Sequence, residues 1–219
     1  DIMESGDAVT PYSRNPRRVA ADAERSLTKL VPGATAILGP EFEFYVFDKV
    51  NYYQGPQSAF YLLESAEAAW DSSHDEENLG YKIPYKGGYH AAPPRDRSAN
   101  LRSQISAMLS EVGVGLKYHH HEVGGAGQHE IEIKFSPLLK VGDQTMLVKY
   151  FVKNQCIRIG KTATFMPKPL FNEPGSGLHV HQYLADANGS LFWDPKGPAR
   201  MSKLGLWYIG GVLKHVDAI

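Results

Sequence analysis

Cysteine is almost missing from this 219-residue chain, and the single Cys156 cannot form an internal disulfide. That suits a reducing cytoplasm and excludes a disulfide-stapled secreted fold. Charge of either sign is not in excess, the formal net charge being -1. The chain therefore offers no basic footprint for nucleic acid or an anionic membrane. No apolar run approaches the roughly 18 to 20 residues that a bilayer span requires, and Asp1-Ile2-Met3-Glu4 does not resemble a secretory leader. A Walker-type phosphate loop, internal repeats and low-complexity tracts are all missing. What remains is an ordinary globular composition, 42% hydrophobic and 21% charged, long enough for one large core.

Both ends read as mid-chain sequence. Ser202 to Ile219 has helix-like apolar positions (Leu204, Trp207, Leu213) and stops without a cap or polar tail. A fragment of a longer polypeptide is the expectation.

Between the ends, Asn15 and Pro16 open a helix whose stripe is Val19, Ala23, Leu27 and Leu30, stopped by Pro32-Gly33. A strand follows over about Ala36 to Asp48. Residues 51–85, acidic and tyrosine-rich without a sustained period, read as a peripheral excursion. Ser98 opens a second helix with Leu101, Ile105, Met108, Leu109 and Val112 inward, closed by Gly113. A hairpin over about Leu116 to Val123 and His129 to Phe135 brackets Gly124-Gly125-Ala126-Gly127. Asp143 reads as the cap of a third helix carrying Met146, Leu147, Tyr150 and Ile157, ending at Gly160. A last strand covers about Leu178 to Leu184 and returns at Asn188-Gly189. Hairpin-joined strands with one polar face predict an α+β fold rather than a parallel doubly wound sheet.

The chemistry lies on those strands. In Gly39-Pro40-Glu41-Phe42-Glu43-Phe44, alternation puts Glu41 and Glu43 on one face and the phenylalanines on the other. His120 with Glu122, Glu130 with Glu132, and His179 with His181 and Tyr183 share faces in the same way. Like charges on a largely buried face need a cation between them or a wet cavity. A carboxylate-rich set suits a hard divalent cation, Mg²⁺ or Mn²⁺, better than zinc, because alternation turns His119 and His121 away from His120.

The order and company of these motifs carry a resemblance. Gly39-Pro40-Glu41-Phe42-Glu43, Lys86-Gly87-Gly88-Tyr89 with Pro93-Pro94, His119-His120-His121-Glu122-Val123, Gly127-Gln128-His129-Glu130, the run Gly160 to Pro169, and Gly175-Ser176-Gly177-Leu178-His179 together resemble glutamine synthetase of the bacterial type I. The resemblance spans essentially the whole chain, from Asp1-Ile2 onward. It implies an ATP-dependent ligase joining ammonia to the γ-carboxylate of L-glutamate. The implied fold is part of the glutamine synthetase/guanido kinase-like catalytic domain, a curved antiparallel sheet belonging to a bifunnel barrel and flanked by helices. Residues 1–219 would be one incomplete catalytic domain, lacking the N-terminal β-grasp domain and the C-terminal third, and inactive alone. By motif, Glu43, Glu122 and Glu130 would hold one metal, and Glu41 with His179 the second. Ile133, Lys134 and Phe135, with His181, Gln182 and Tyr183, would lie along the nucleotide, and Gly175 near the glutamate. The resemblance further implies a cytoplasmic homo-oligomer, a dodecamer in type I relatives.

The chain departs from the family pattern at Pro174, where Asn commonly helps position glutamate, at Tyr183, where Ser is common, and at Lys117, where an acidic nucleotide contact is expected. Two other readings stay open. One is a γ-glutamyl-amine ligase of the same superfamily acting on another amine; the other is a non-catalytic structural relative.

Overall fold

The computed structural model describes residues 2–4, 9–70 and 79–218. Asp1 and part of the 51–85 excursion therefore lie outside the described residues. The elements in chain order are β1 (Met3–Glu4), β2 (Thr10–Pro11), α1 (Pro16–Leu30), β3 (Thr35–Phe47), β4 (Lys49–Gln54), β5 (Ala59–Glu64) and α2 (Ala99–Glu111). They continue with β6 (Leu116–His121), β7 (Gln128–Ile133), β8 (Ser136–Pro137), α3 (Leu138–Arg158), β9 (Thr162–Thr164), β10 (Leu178–Asp186), β11 (Gly189–Ser190) and α4 (Lys203–Lys214). Two compact units result: Asp1–Gly39, Phe135–Asp143 and Val180–Ile219 form one, and Pro40–Lys134 with Gln144–His179 the other.

In the first unit, Asn15 accepts a hydrogen bond from Arg17 N at 3.2 Å and Pro16 takes the first helical position, so α1 begins where capping chemistry predicts. No residue of α1 is buried; Val19 and Leu30 of its apolar stripe are 55% and 81% exposed. Arg17 Nε donates to Asp143 Oδ1 at 2.9 Å, and Leu139 N donates to Glu24 Oε1 at 3.0 Å. Asp143 is thus an ion-pair partner of α1, not a cap, and α3 begins at Leu138, five residues before it. Ser202 does cap α4, its Oγ accepting from Gly205 N at 3.1 Å.

The second unit is organised by β3. Its distal half pairs antiparallel with β7 and β9, and β7 pairs antiparallel with β6. Because side chains alternate, Phe42, Phe44 and Val46 all point to one face, where Ile131 and Ile133 of β7 join them. Leu101, Ile105 and Leu109 of α2 and Val148, Val152 and Cys156 of α3 cover that face. Fully burying a side chain such as Phe44 or Ile131 stabilises the fold by about 1.5–3 kcal/mol. The α3 stripe differs from the sequence reading: Met146, Tyr150 and Ile157 are 69%, 61% and 71% exposed, and the smaller Val148, Val152 and Cys156 face inward. Val112, the residue just past the end of α2, is also half exposed. Cys156 is fully buried, and burial pushes its thiol up to about 11, as fits a small apolar core residue. Within the 51–85 excursion the structure forms a hairpin, β4 pairing with β5 from Lys49↔Glu64 to Gln54↔Ala59.

Candidate metal centre

The face of β3 opposite the phenylalanines gathers acid. Register sets Glu41 against Glu132 and Glu43 against Glu130, and β6 sets His120 against Glu130. Paired residues of antiparallel strands share a face, so alternation and register together line up five carboxyl groups, those of Glu122 and the four named, with His120. Two subsets have ligand atoms within 4.8 Å of one another: His120, Glu122 and Glu130 form one, and Glu41, Glu130 and Glu132 the other. Glu130 belongs to both.

Each carboxylate is held differently. Glu43 Oε2 accepts from Gln128 Nε2 at 3.0 Å and from Gly177 N at 2.9 Å, while its Oε1 lies 3.2 Å from His179 Nε2. A side chain at position 177 would place Cβ 2.8 Å from His179 Nε2 and 3.2 Å from Glu43 Oε1, which is why glycine stands there. Glu122 accepts from Val123 N, and Glu132 accepts from Lys117 Nζ. The Gly88 loop seals the end of β6, with Gly88 N donating to Val123 O at 3.0 Å and His90 N to His121 O at 3.0 Å. A Cβ on Gly88 would stand 2.4 Å from Glu122 O.

The donor set fits a divalent cation. Burial, and then Glu41, Glu122, Glu132 and Glu43 in that order, push the Glu130 carboxyl up to about 7. His120 Nδ1 lies 2.9 Å from His121 O, and a carbonyl only accepts, so Nδ1 carries the proton. His120 Nε2 lies 3.3 Å from Glu130 Oε1. A cation held among these groups relieves the repulsion among the carboxylates.

Beneath this face lies a buried polar layer that the sequence reading missed. His121 Nδ1 donates to Glu122 O at 2.7 Å and its Nε2 to Glu67 Oε2 at 3.2 Å. Burial alone would lower the His121 pKa, but the bonds to Glu67 and Glu122 outweigh it and the imidazole is held above its ordinary value. Arg102 donates to both carboxylate oxygens of Asp96, at 3.0 and 2.5 Å, and to His129 Nδ1 at 2.9 Å. His129, fully buried beside Arg102, is kept neutral, its pKa well below the ordinary value chiefly through burial. His119, also turned to this side, receives Arg102 Nε at 3.4 Å. His119 and His121 do point away from His120, as alternation predicts. The available signal was Arg102 itself, a cation between Leu101 and Ile105 on the inward face of α2.

The remaining candidate residues are placed as follows. Pro174 O accepts from the Tyr45 hydroxyl at 2.7 Å, and Gly175 O accepts from Gln128 Nε2 at 2.9 Å, so the same glutamine orders both Glu43 and the Gly175 turn. The Ile133 side chain is buried in the core, whereas the Lys134 side chain is exposed. In the first unit, Phe135 packs against Gly39 and lies 6.2 Å from His181 and 5.8 Å from Tyr183, ring to ring. Gln182 Oε1 accepts from the Tyr208 hydroxyl of α4 at 2.5 Å. A separate apolar cavity of about 640 Å³, between the β4–β5 hairpin and residues 162–171, is lined by none of these carboxylates.

The sheet that carries these residues has counterparts among known proteins. Residues 13–219 match the family model described as glutamine synthetase, catalytic domain, and the chain belongs to that family. A glutamine synthetase of Streptomyces filamentosus is 49% identical over 208 residues, covering 95% of this chain and 44% of that protein. A protein of Cupriavidus pinatubonensis named 3-hydroxylaminophenol mutase is 41% identical over 221 residues, 100% of this chain and 46% of its own. Among solved structures, a Plasmodium falciparum glutamine synthetase superposes with a TM-score of 0.84 at 28% identity, covering 99% of this chain and 46% of that one. The fold is therefore the glutamine synthetase catalytic-domain fold, a curved antiparallel sheet flanked by helices. The chain spans about half the length of the curated relatives it matches. No described helix is long and apolar enough to cross a membrane.

Proposed function

We propose that this chain carries the metal-binding half of an ATP-dependent ligase that joins ammonia to the γ-carboxylate of L-glutamate. The observation that carries the reading is the register that sets Glu41, Glu43, Glu130 and Glu132 on one face together with His120. A carboxylate is a poor electrophile, so its oxygen first attacks the terminal phosphorus of ATP and ADP departs. Ammonia then attacks the acyl carbon of γ-glutamyl phosphate, phosphate leaves and a proton is lost. Glu41, Glu43, Glu122, Glu130 and His179 would hold Mg²⁺ or Mn²⁺. When bound, the cations neutralise charge on the transferring phosphoryl group and orient it.

The protein's own part is positioning. Gln128 and the Gly177 amide fix the Glu43 carboxylate, and the Gly175 turn, tied to the same Gln128, would stand beside the glutamate. With Pro174 in place of an amide side chain, that contact falls to backbone groups. Ile133, Lys134 and Phe135, with His181, Gln182 and Tyr183, would lie along the nucleotide, the rings of His181 and Tyr183 standing 6.2 and 5.8 Å from that of Phe135. A homo-oligomer, with the dodecamer of type I relatives as its form, and a cytoplasmic setting complete the reading.

The test is ADP release by the full polypeptide with ATP, Mg²⁺ and glutamate, comparing ammonia with a panel of primary amines and wild type with Glu122→Ala. Ammonia-dependent turnover lost in the variant is expected. Turnover with another amine alone would move the assignment to the γ-glutamyl-amine ligases, and no turnover with any acceptor would sink it.

A further inference from the structure

Strand β6 is irregular at one place. Leu116 pairs with Ile133 and Tyr118 with Glu132, so Lys117 is an extra residue in the ladder, a β-bulge. Bulges re-aim side chains, and this one brings two consecutive residues to the same carboxylate. Lys117 Nζ lies 2.5 Å from Glu132 Oε2, and the Tyr118 hydroxyl bonds Glu132 as well. The lysine ammonium also sits 4.9 Å from the centre of the Tyr118 ring. The Lys117 side chain is 43% exposed, whereas that of Glu132 is 4% exposed. A flexible, wet cation is thus laid on a buried carboxylate that belongs to the Glu41–Glu130–Glu132 group.

We propose that Lys117 is a tethered counter-ion that competes with the divalent cation for the Glu41–Glu130–Glu132 group and so sets the free Mg²⁺ or Mn²⁺ the site requires. The inference rests on the metal-binding reading above. Mg²⁺ takes oxygen ligands at about 2.0–2.1 Å, and an ammonium already in contact with Glu132 occupies that approach. The cation must displace the lysine, whose release into water costs little because its stem is exposed.

The experiment is Mn²⁺ titration of the full polypeptide, followed by the electron paramagnetic resonance signal of the free ion, for wild type, Lys117→Met, Lys117→Arg, Glu132→Gln and the Lys117→Met/Glu132→Gln pair. Lys117→Met is expected to tighten Mn²⁺ binding roughly five-fold, the size of one partly exposed charge coupling. Lys117→Arg, which keeps the charge, is expected to stay near wild type. In the Glu132→Gln background the lysine substitution is expected to change nothing. Unchanged or weaker binding by Lys117→Met overturns the inference while leaving the metal centre standing. Failure of wild type to bind Mn²⁺ at all overturns both.

Discussion

Arg102 makes the most exacting test of how the metal-bearing strand is supported. Its guanidinium is 3% exposed and its partner Asp96 2% exposed, and it also supplies the hydrogen bond to His129 Nδ1 on β7, next to Glu130. Replacing it by methionine keeps most of the volume but leaves Asp96 as an uncompensated buried charge and His129 without its donor. Breaking a buried pair from one side costs about 3–5 kcal/mol. For a chain of this size each kcal/mol lowers Tm by about 2–4 °C, so Arg102→Met is expected to melt roughly 6–20 °C below wild type. Thermal unfolding followed by circular dichroism measures this. The double variant Arg102→Met/Asp96→Leu removes both charges and is expected to recover much of the loss, short of about 2 kcal/mol for the bond that Asp96 accepts from Ser98 N and the one that His129 accepts from Arg102. A single variant costing less than about 1 kcal/mol would refute the reasoning, and so would a double variant that simply adds a second penalty.

Two further outcomes are expected. Gly177→Ala drives a methyl against His179 Nε2 and Glu43 Oε1, so Mn²⁺ affinity of the full polypeptide should fall about ten-fold or more with Tm changed by only a few degrees; unaltered affinity would show that the Glu43–Gly177–His179 contact is not part of the centre. Asp48 is pushed up by burial but pulled further down by Lys161 and the Ala66 amide, so its carboxyl ends below the usual range. A depressed carboxyl contributes stability that is present above its unfolded pKa near 3.8 and is lost as pH falls through the folded value. Asp48→Asn should therefore cost about 1.5 kcal/mol at pH 7, and the gap from wild type should close as pH falls below the unfolded value near 3.8; a gap constant with pH would contradict this.

The parts of the molecule legible in the sequence are those governed by period and punctuation. Glu41, Glu43, Phe42 and Phe44 alternate, so their faces could be assigned before their neighbours were known. The same rule separated His120 from His119 and His121. Asn15-Pro16 marked the start of α1 because a cap and a preset φ act locally. The failures share a cause as well. Asp143 has a cap's chemistry, yet a tertiary partner, Arg17, uses it, so the start of α3 was displaced. That helix has two apolar stripes, and bulk favoured Met146 and Tyr150, whereas the tight approach to β3 selects Val148, Val152 and Cys156. The β4–β5 hairpin escaped because Tyr52, Phe60, Tyr61 and Leu62 are all exposed, and without a buried face no alternation is imposed. Neither glycine nor proline announces the bulge at Lys117, and its effect on Glu132 appears only when β6 lies beside β7.

Glu130 is common to both groups of ligand atoms, and that has a consequence for dissection by mutagenesis. On the metal-binding reading proposed above, a substitution at position 130 removes a ligand atom from both groups at once, so by itself it cannot assign a kinetic defect to either. Separate attribution has to come from the periphery of the set, Glu122 on one side and Glu41 on the other. Titration curves for the intact centre are then expected to be those of a linked pair, in which filling one position changes the affinity of the next.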